Sequence, residues 1–264
     1  MDTSERAALT LKNLPPFPPV AAKVIALLAR ESVSLSAVAD ILKTDAALSA
    51  EVLRLANSAV LGGRRPVTSI PQALPLLGTS KLTGLLLTLS VSKFLKRTKS
   101  RDSIRRFWHH NLACALVAQD FAQFFAREPD ELYNAGLFHE IGRLALLVAQ
   151  PALYEQMIAS GGDLLALERT HFGLDHCSGG AWVIEHWGLP NELVDVAMHH
   201  HAPQAESSEL TLLVHAACVV ADRLGFSVTP AKSDEIDVDP NDELGISIVK
   251  VIHSLEHEYA IDPH

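Results

Sequence analysis

The chain has 264 residues, of which 48% are hydrophobic and 20% charged, with a formal net charge of −9. So much apolar material supports a buried core and excludes intrinsic disorder. The negative charge argues against broad binding to nucleic acid or anionic lipid, since both need clustered cations.

The first structured element is an extended lead-in, Leu14-Pro-Pro-Phe-Pro-Pro19, because each proline disfavours helix for the residue before it. Its expected role is a fixed entry that packs Phe17. Apolar residues then recur at helical spacing in three runs: Val20, Val24, Leu27 and Leu28; Leu35, Val38, Ile41 and Leu42; Leu48, Val52, Leu53 and Leu55. Asp45 is placed to cap the third run. Ser69 with Gln72 forms a capping-box pattern, and Gly78 stands where a helix wants a left-handed end. The run Leu82 to Leu95 is interrupted by Thr83, Gly84, Thr88, Ser90, Ser92 and Lys93. It falls short of the ~18–20 apolar residues of a membrane span, so no transmembrane helix is expected. The opening Met1-Asp-Thr-Ser-Glu-Arg6 has no apolar signal region, and the expected location is the cytoplasm.

Between Lys93 and Arg106 seven cations face one acid, Asp102, which reads as a solvated connection between two parts, 1–100 and 101–264. Beyond it, longer amphipathic helices are predicted over Phe107–Ala126, Asp130–Val148, Leu164–His171, His176–Trp187, Asn191–His200 and Glu209–Leu224. An acidic loop over 229–243 and a last helix near 246–257 complete the chain. Strand-like alternation is absent, so the predicted fold class is all-α. Phosphate-binding loops, dinucleotide fingerprints and nucleophile elbows are absent too.

All thirteen histidines lie in the second part. Metal sites in helical bundles are built from scattered single positions on facing helices. That pattern is present in His110, in the pair His139-Glu140 inside an apolar run, in His176, in His199-His200-His201, and in Asp222. Imidazoles mixed with carboxylates suit iron, manganese, nickel or zinc better than calcium. The acid of the pair is the most telling member, because a buried carboxylate is costly unless it is paired or ligates something. Arg143, one turn after Glu140, is the plainest such partner. Cys114, Cys177 and Cys218 have no Cys-x-x-Cys spacing and read as reduced thiols. Adjacency of His176 and Cys177 on a helix points their side chains apart, which argues against a cysteine nucleophile.

Two sets of segments resemble the HDOD family, a bacterial signalling branch of the HD superfamily. The first set is Leu14-Pro-Pro-Phe-Pro-Pro19, Leu48-Ser-Ala-Glu-Val-Leu-Arg-Leu-Ala-Asn-Ser58 and Arg65-Pro-Val-Thr-Ser-Ile-Pro-Gln-Ala-Leu-Pro-Leu-Leu-Gly78. The second is Trp108-His-His-Asn-Leu-Ala113, Ala135-Gly-Leu-Phe-His-Glu-Ile-Gly142, Phe172-Gly-Leu-Asp-His176 and Trp187-Gly-Leu-Pro-Asn-Glu-Leu193 leading to His199-His-His201. The resemblance implies an N-terminal helical bundle packed on a C-terminal HD-like bundle. HD enzymes are metal-dependent phosphohydrolases that hold one or two ions. By resemblance, His110 is the first ligand, His139 and Glu140 the His-Asp pair, His176 with His199 or His200 the further histidines, and Asp222 the closing acid. Glu140 departs from the family's aspartate, and Ala202-Pro203-Gln204 replaces the Gly-Tyr-Pro of relatives that degrade cyclic di-GMP. The expectation is a regulatory module that contacts other signalling proteins, with a vestigial or structural metal site. The alternative is a phosphohydrolase for a small phosphorylated substrate or nucleotide.

Overall fold

A computed structural model describes residues 3–12, 14, 16–28, 30, 32–58, 66–95 and 101–228. The acidic stretch and the helix expected near 246–257 lie outside these, as does the middle of the basic junction. Among the described residues the chain is all helical, as predicted. The first part contains α1 (Thr3–Thr10), α2 (Pro19–Leu28), α3 (Leu35–Leu42), α4 (Ala46–Ala56) and α5 (Ile70–Leu95). The second contains α6 (Arg101–Phe121), α7 (Pro129–Phe138), α8 (Ile141–Ala149), α9 (Pro151–Ser160), α10 (Leu164–Phe172), α11 (His176–His186), α12 (Asn191–His199) and α13 (Glu209–Arg223).

Local chemistry sets most of these boundaries. Asp45 caps α4 by accepting from the backbone N–H groups of Ala47 and Leu48, at 3.0 Å each. The capping box before α5 is shifted by one residue: Gln72 reaches back to accept from the N–H of Thr68 at 3.2 Å. Gly78 does take a left-handed φ of 74°, but helix resumes after it, so α5 is two helical pieces joined at a kink. By length and composition alone the stretch 70–91 could cross a bilayer; it is instead a core helix, packed against α2, α3, α4 and α7. Phe17 is buried from the proline lead-in onto Trp187, with ring centroids 5.2 Å apart.

Two differences from the predicted elements bear on function. A helix over Pro151–Ser160 forms in the interval left between the helices predicted over Asp130–Val148 and Leu164–His171. More consequentially, the helix predicted over Asp130–Val148 is two helices. His139 caps α7, and Glu140 adopts φ −101° and ψ 15°, outside the helical region. Apolar periodicity continues through the break because both helices bury one face in the same core. Downstream, α8 and α11 cross in backbone contact at Gly142, where a Cβ would overlap the carbonyl oxygen of His176 and the nitrogen of Gly180. That crossing draws the α7–α8 break up to the start of α11.

Candidate metal centre

The break puts His139 and Glu140 in the middle of the second bundle, ringed by α6, α10, α11, α12 and α13. Four histidines there share one arrangement. The Nδ1 of each lies at hydrogen-bonding distance from an oxygen: His139 from the carbonyl of Gly136 at 2.6 Å, His110 on α6 from that of Phe226 at 2.7 Å, and His200 from that of Ala197 at 3.0 Å. His176, the first residue of α11, meets a carboxylate oxygen of Glu168 at 2.6 Å. Only an N–H satisfies these acceptors, so the partners assign the proton to Nδ1 and leave Nε2 facing inward. Carbonyl and carboxylate partners of this kind orient metal-binding imidazoles. All four residues are 0–1% exposed.

The inward nitrogens belong to two chemically distinct groups. In the first, the Nε2 of His110 stands 3.3 Å from the Nε2 of His139 and 3.5 Å from the sulfurs of both Cys114 and Cys218. Cys114 lies one turn beyond His110 on α6, and Cys218 comes from α13. Burial pushes the Cys114 thiol up. The hydrogen bond from Cys114 draws the Cys218 thiol down against its own burial, aided by His110 and His139. Burial would lower His110, but Cys218, with Glu140 and Asp222 after it, outweighs burial and raises the imidazole to about 9.

The second group is built around Glu140. Arg143 clamps both carboxylate oxygens, Nε on Oε2 at very short range and Nη2 on Oε1 at 3.2 Å. The same guanidinium reaches Glu168 at 3.3 Å and the Nε2 of His176 at 3.1 Å. Glu168 in turn accepts from Tyr154 and from the backbone N–H of His176. Burial alone would push Glu140 up; Arg143, then His176, His200 and His201, hold it well below the usual carboxylate range. Glu168 is likewise lowered against its burial, by His176 first and Arg143 after it. His200 lies 3.5 Å from Glu140, and burial depresses it to about 3, so it is neutral, with an Nε2 that makes no hydrogen bond. His201 sits at the rim with its side chain 33% exposed, 2.8 Å from His176 and 3.4 Å from Glu140.

Of the predicted ligands, the fold brings together His110, His139, Glu140, His176 and His200. It does not bring in the other two. His199 turns outward and bonds Asp195 at 2.9 Å with 44% of its side chain exposed, because consecutive helical residues point about 100° apart. Asp222 approaches His110 at 3.5 Å on its Nδ1 side, away from the inward nitrogens, and is 48% exposed. Cys114, Cys218 and Glu168 belong to the centre although sequence reasoning left them out, and His201, named in the histidine run but given no ligand role, stands at its rim. Cys177 lies with His176, His200 and His201, and burial pushes its thiol up, away from the thiolate form that a nucleophile uses.

An HD-type ion on His110, His139, Glu140 and Asp222 does not fit this arrangement. Asp222 is on the wrong side of His110, and both oxygens of Glu140 are committed to Arg143.

An all-helical bundle around a buried histidine cluster is an HD-like architecture, and comparison with known proteins narrows it. The HDOD domain family matches residues 14–203, and the chain belongs to that family. An uncharacterized protein of Treponema pallidum (strain Nichols) is 22% identical over 202 residues; the match covers 74% of this chain but only 39% of that relative's length. Three solved structures share the fold. An HDOD domain protein of unknown function from Geobacter sulfurreducens has a TM-score of 0.67 at 22% identity, covering 98% of this chain and 96% of the other. A candidate phosphohydrolase from Shewanella amazonensis SB2B has 0.68 at 24%, covering 97% and 96%. A candidate signal-transduction protein from Marinobacter aquaeolei VT8 has 0.71 at 19%, covering 98% and 65%.

Proposed function

We propose that this chain is a regulatory HDOD module that acts through non-covalent contacts with other signalling proteins and does not turn over phosphoesters. The observation that carries the reading is the Arg143–Glu140 clamp. In a metal-dependent hydrolase the acid beside His139 gives its charge to a metal, which lowers the pKa of a bound water. Here a guanidinium from the same segment takes that charge. The surroundings agree: catalytic metal sites keep an open position, whereas His110, His139, His176, His200, Glu140 and Arg143 are buried and, among the described residues of the Glu140 group, His201 reaches the rim.

A phosphohydrolase acting on a small phosphorylated substrate is the second reading. It is favoured by the unpartnered Nε2 of His200 and the accessible edge of His201. A hydrolysis screen over phosphomonoesters, phosphodiesters and nucleotides, with manganese, iron, nickel or magnesium added, separates the two. The regulatory reading expects no turnover that responds to His139→Ala. Robust turnover abolished by that substitution would establish the second reading instead.

A further inference from the structure

Sequence spacing assigned no metal role to the cysteines, and the HD-type ligand set uses carboxylates in their place. We propose that His110, Cys114, His139 and Cys218 form a closed, tetrahedral zinc site that ties α6, the α7–α8 break and α13 together. This holds whether or not the chain signals through partners, because it concerns a different set of side chains from the Glu140 group.

The spacing is the first argument. Zinc–nitrogen bonds of about 2.0–2.1 Å and zinc–sulfur bonds of about 2.3 Å, at tetrahedral angles, put N···N edges at roughly 3.3 Å and N···S edges at roughly 3.5 Å. The structure has 3.3 Å between the two imidazole nitrogens and 3.5 Å from His110 to each sulfur. All four donor atoms lie within 4.8 Å of one another. The three edges at His110 thus have the length a zinc tetrahedron requires, and the other three are short enough to close one by small side-chain shifts.

Orientation is the second. Both rings are anchored through Nδ1, to Phe226 and to Gly136, so two Nε2 atoms meet across a gap that neither carbonyl anchor explains. With Nδ1 carrying the proton on both rings, two lone pairs face each other across that gap, and either a second proton on His110 or a metal ion bridges them. Among the described residues, no lysine or arginine hydrogen-bonds or ion-pairs with these four side chains, in contrast to the Glu140 group, which has its own guanidinium.

Charge balance is the third. The donors are buried: His110 is 1% exposed, Cys114 and His139 are 0%, and Cys218 is 8%. A dication with two thiolates and two neutral imidazoles has no net charge, the state that costs least to bury. A two-nitrogen, two-sulfur tetrahedron favours zinc over the manganese or magnesium of phosphoryl chemistry. Four protein ligands leave no open position, which makes the site structural.

The test uses the whole chain, purified without chelator or histidine tag. Plasma mass spectrometry should find about one zinc per chain, lost in Cys114→Ser and in Cys218→Ser but kept in His199→Ala. Cobalt(II) exchanged into the wild-type protein should give thiolate-to-cobalt charge-transfer absorption and the intense visible bands of tetrahedral coordination. Zinc retained in both serine variants would overturn the assignment, as would wild-type protein that takes up no zinc. If the serine variants fail to fold, the cobalt spectrum of the wild type decides alone, and octahedral bands without charge transfer would overturn the proposal. The hydrolysis screen can fail or succeed without altering either result.

Discussion

The two halves of the buried centre are made from the same kind of inward-facing imidazole, yet they solve opposite problems. Around Glu140, two carboxylates are buried and the chain supplies the compensating cation, Arg143, which also reaches the Nε2 of His176. Around His110, two of the donors are sulfurs, and no lysine or arginine among the described residues pairs with them. The difference shows how one buried cluster can balance its carboxylates with its own arginine and, beside them, gather the soft donors that the proposed zinc would use. An arginine one turn past the acid neutralises the carboxylate half, while two cysteines, one turn from His110 and one turn before Asp222, offer sulfur where the HD pattern uses oxygen.

The largest expected effect comes from breaking the neutralised half. Arg143→Met removes the guanidinium that Glu140 and Glu168 share and leaves them only histidine partners, and removing one partner of a buried pair costs about 3–5 kcal/mol. Denaturant unfolding should show that loss. Adding Glu140→Gln should recover part of it, since one of the stranded charges is then gone. A single Arg143→Met change of less than about 0.5 kcal/mol would mean the clamp is not what balances the carboxylates.

A smaller effect is expected at Asp175, which caps α11 and so fixes where His176 begins. Its carboxylate accepts from the backbone N–H and hydroxyl of Ser178, at 2.9 and 2.5 Å, and pairs with Arg169 at 2.6 Å. Burial raises this carboxyl, but Ser178 and then Arg169 bring it down from 3.8 to about 2. Asp175→Ala should cost about 1 kcal/mol at neutral pH, the usual size of a lost cap. A depressed native-state value contributes in full above 3.8 and is lost as the pH falls through about 2, so the gap between wild type and Asp175→Ala should narrow across that interval. A gap that is constant down to pH 2 would contradict the assigned partners.

How much of this was legible in the sequence differs between fold and site. The helical runs of the first part, the Asp45 cap, the left-handed Gly78 and the buried Phe17 all follow from residue types acting locally. The break at His139-Glu140 does not, because apolar spacing on either side carries straight through it, and only the tertiary crossing at Gly142 shows why the chain turns there. The centre's members were partly visible. Glu168 falls four residues after Leu164 and four before Phe172, on the apolar face of α10, which is a signal of a buried acid. Cys114 and Cys218 carried the same kind of signal, at four-residue spacing from His110 and Asp222. That His199 faces outward while His200 faces inward, and that Asp222 lies on the Nδ1 side of His110, were not legible, because a run of three histidines does not reveal which one faces inward, nor does a helix-end aspartate reveal on which side of a ring it falls.

The contrast between the two halves is tested most directly by anomalous diffraction at the zinc edge from crystals of the wild-type chain. The expected result is one peak among the ring nitrogens of His110 and His139 and the sulfurs of Cys114 and Cys218, with Arg143 still clamped on Glu140. A peak beside Glu140, His176 and His200, with Arg143 swung away, would contradict the account and restore a carboxylate-bound metal.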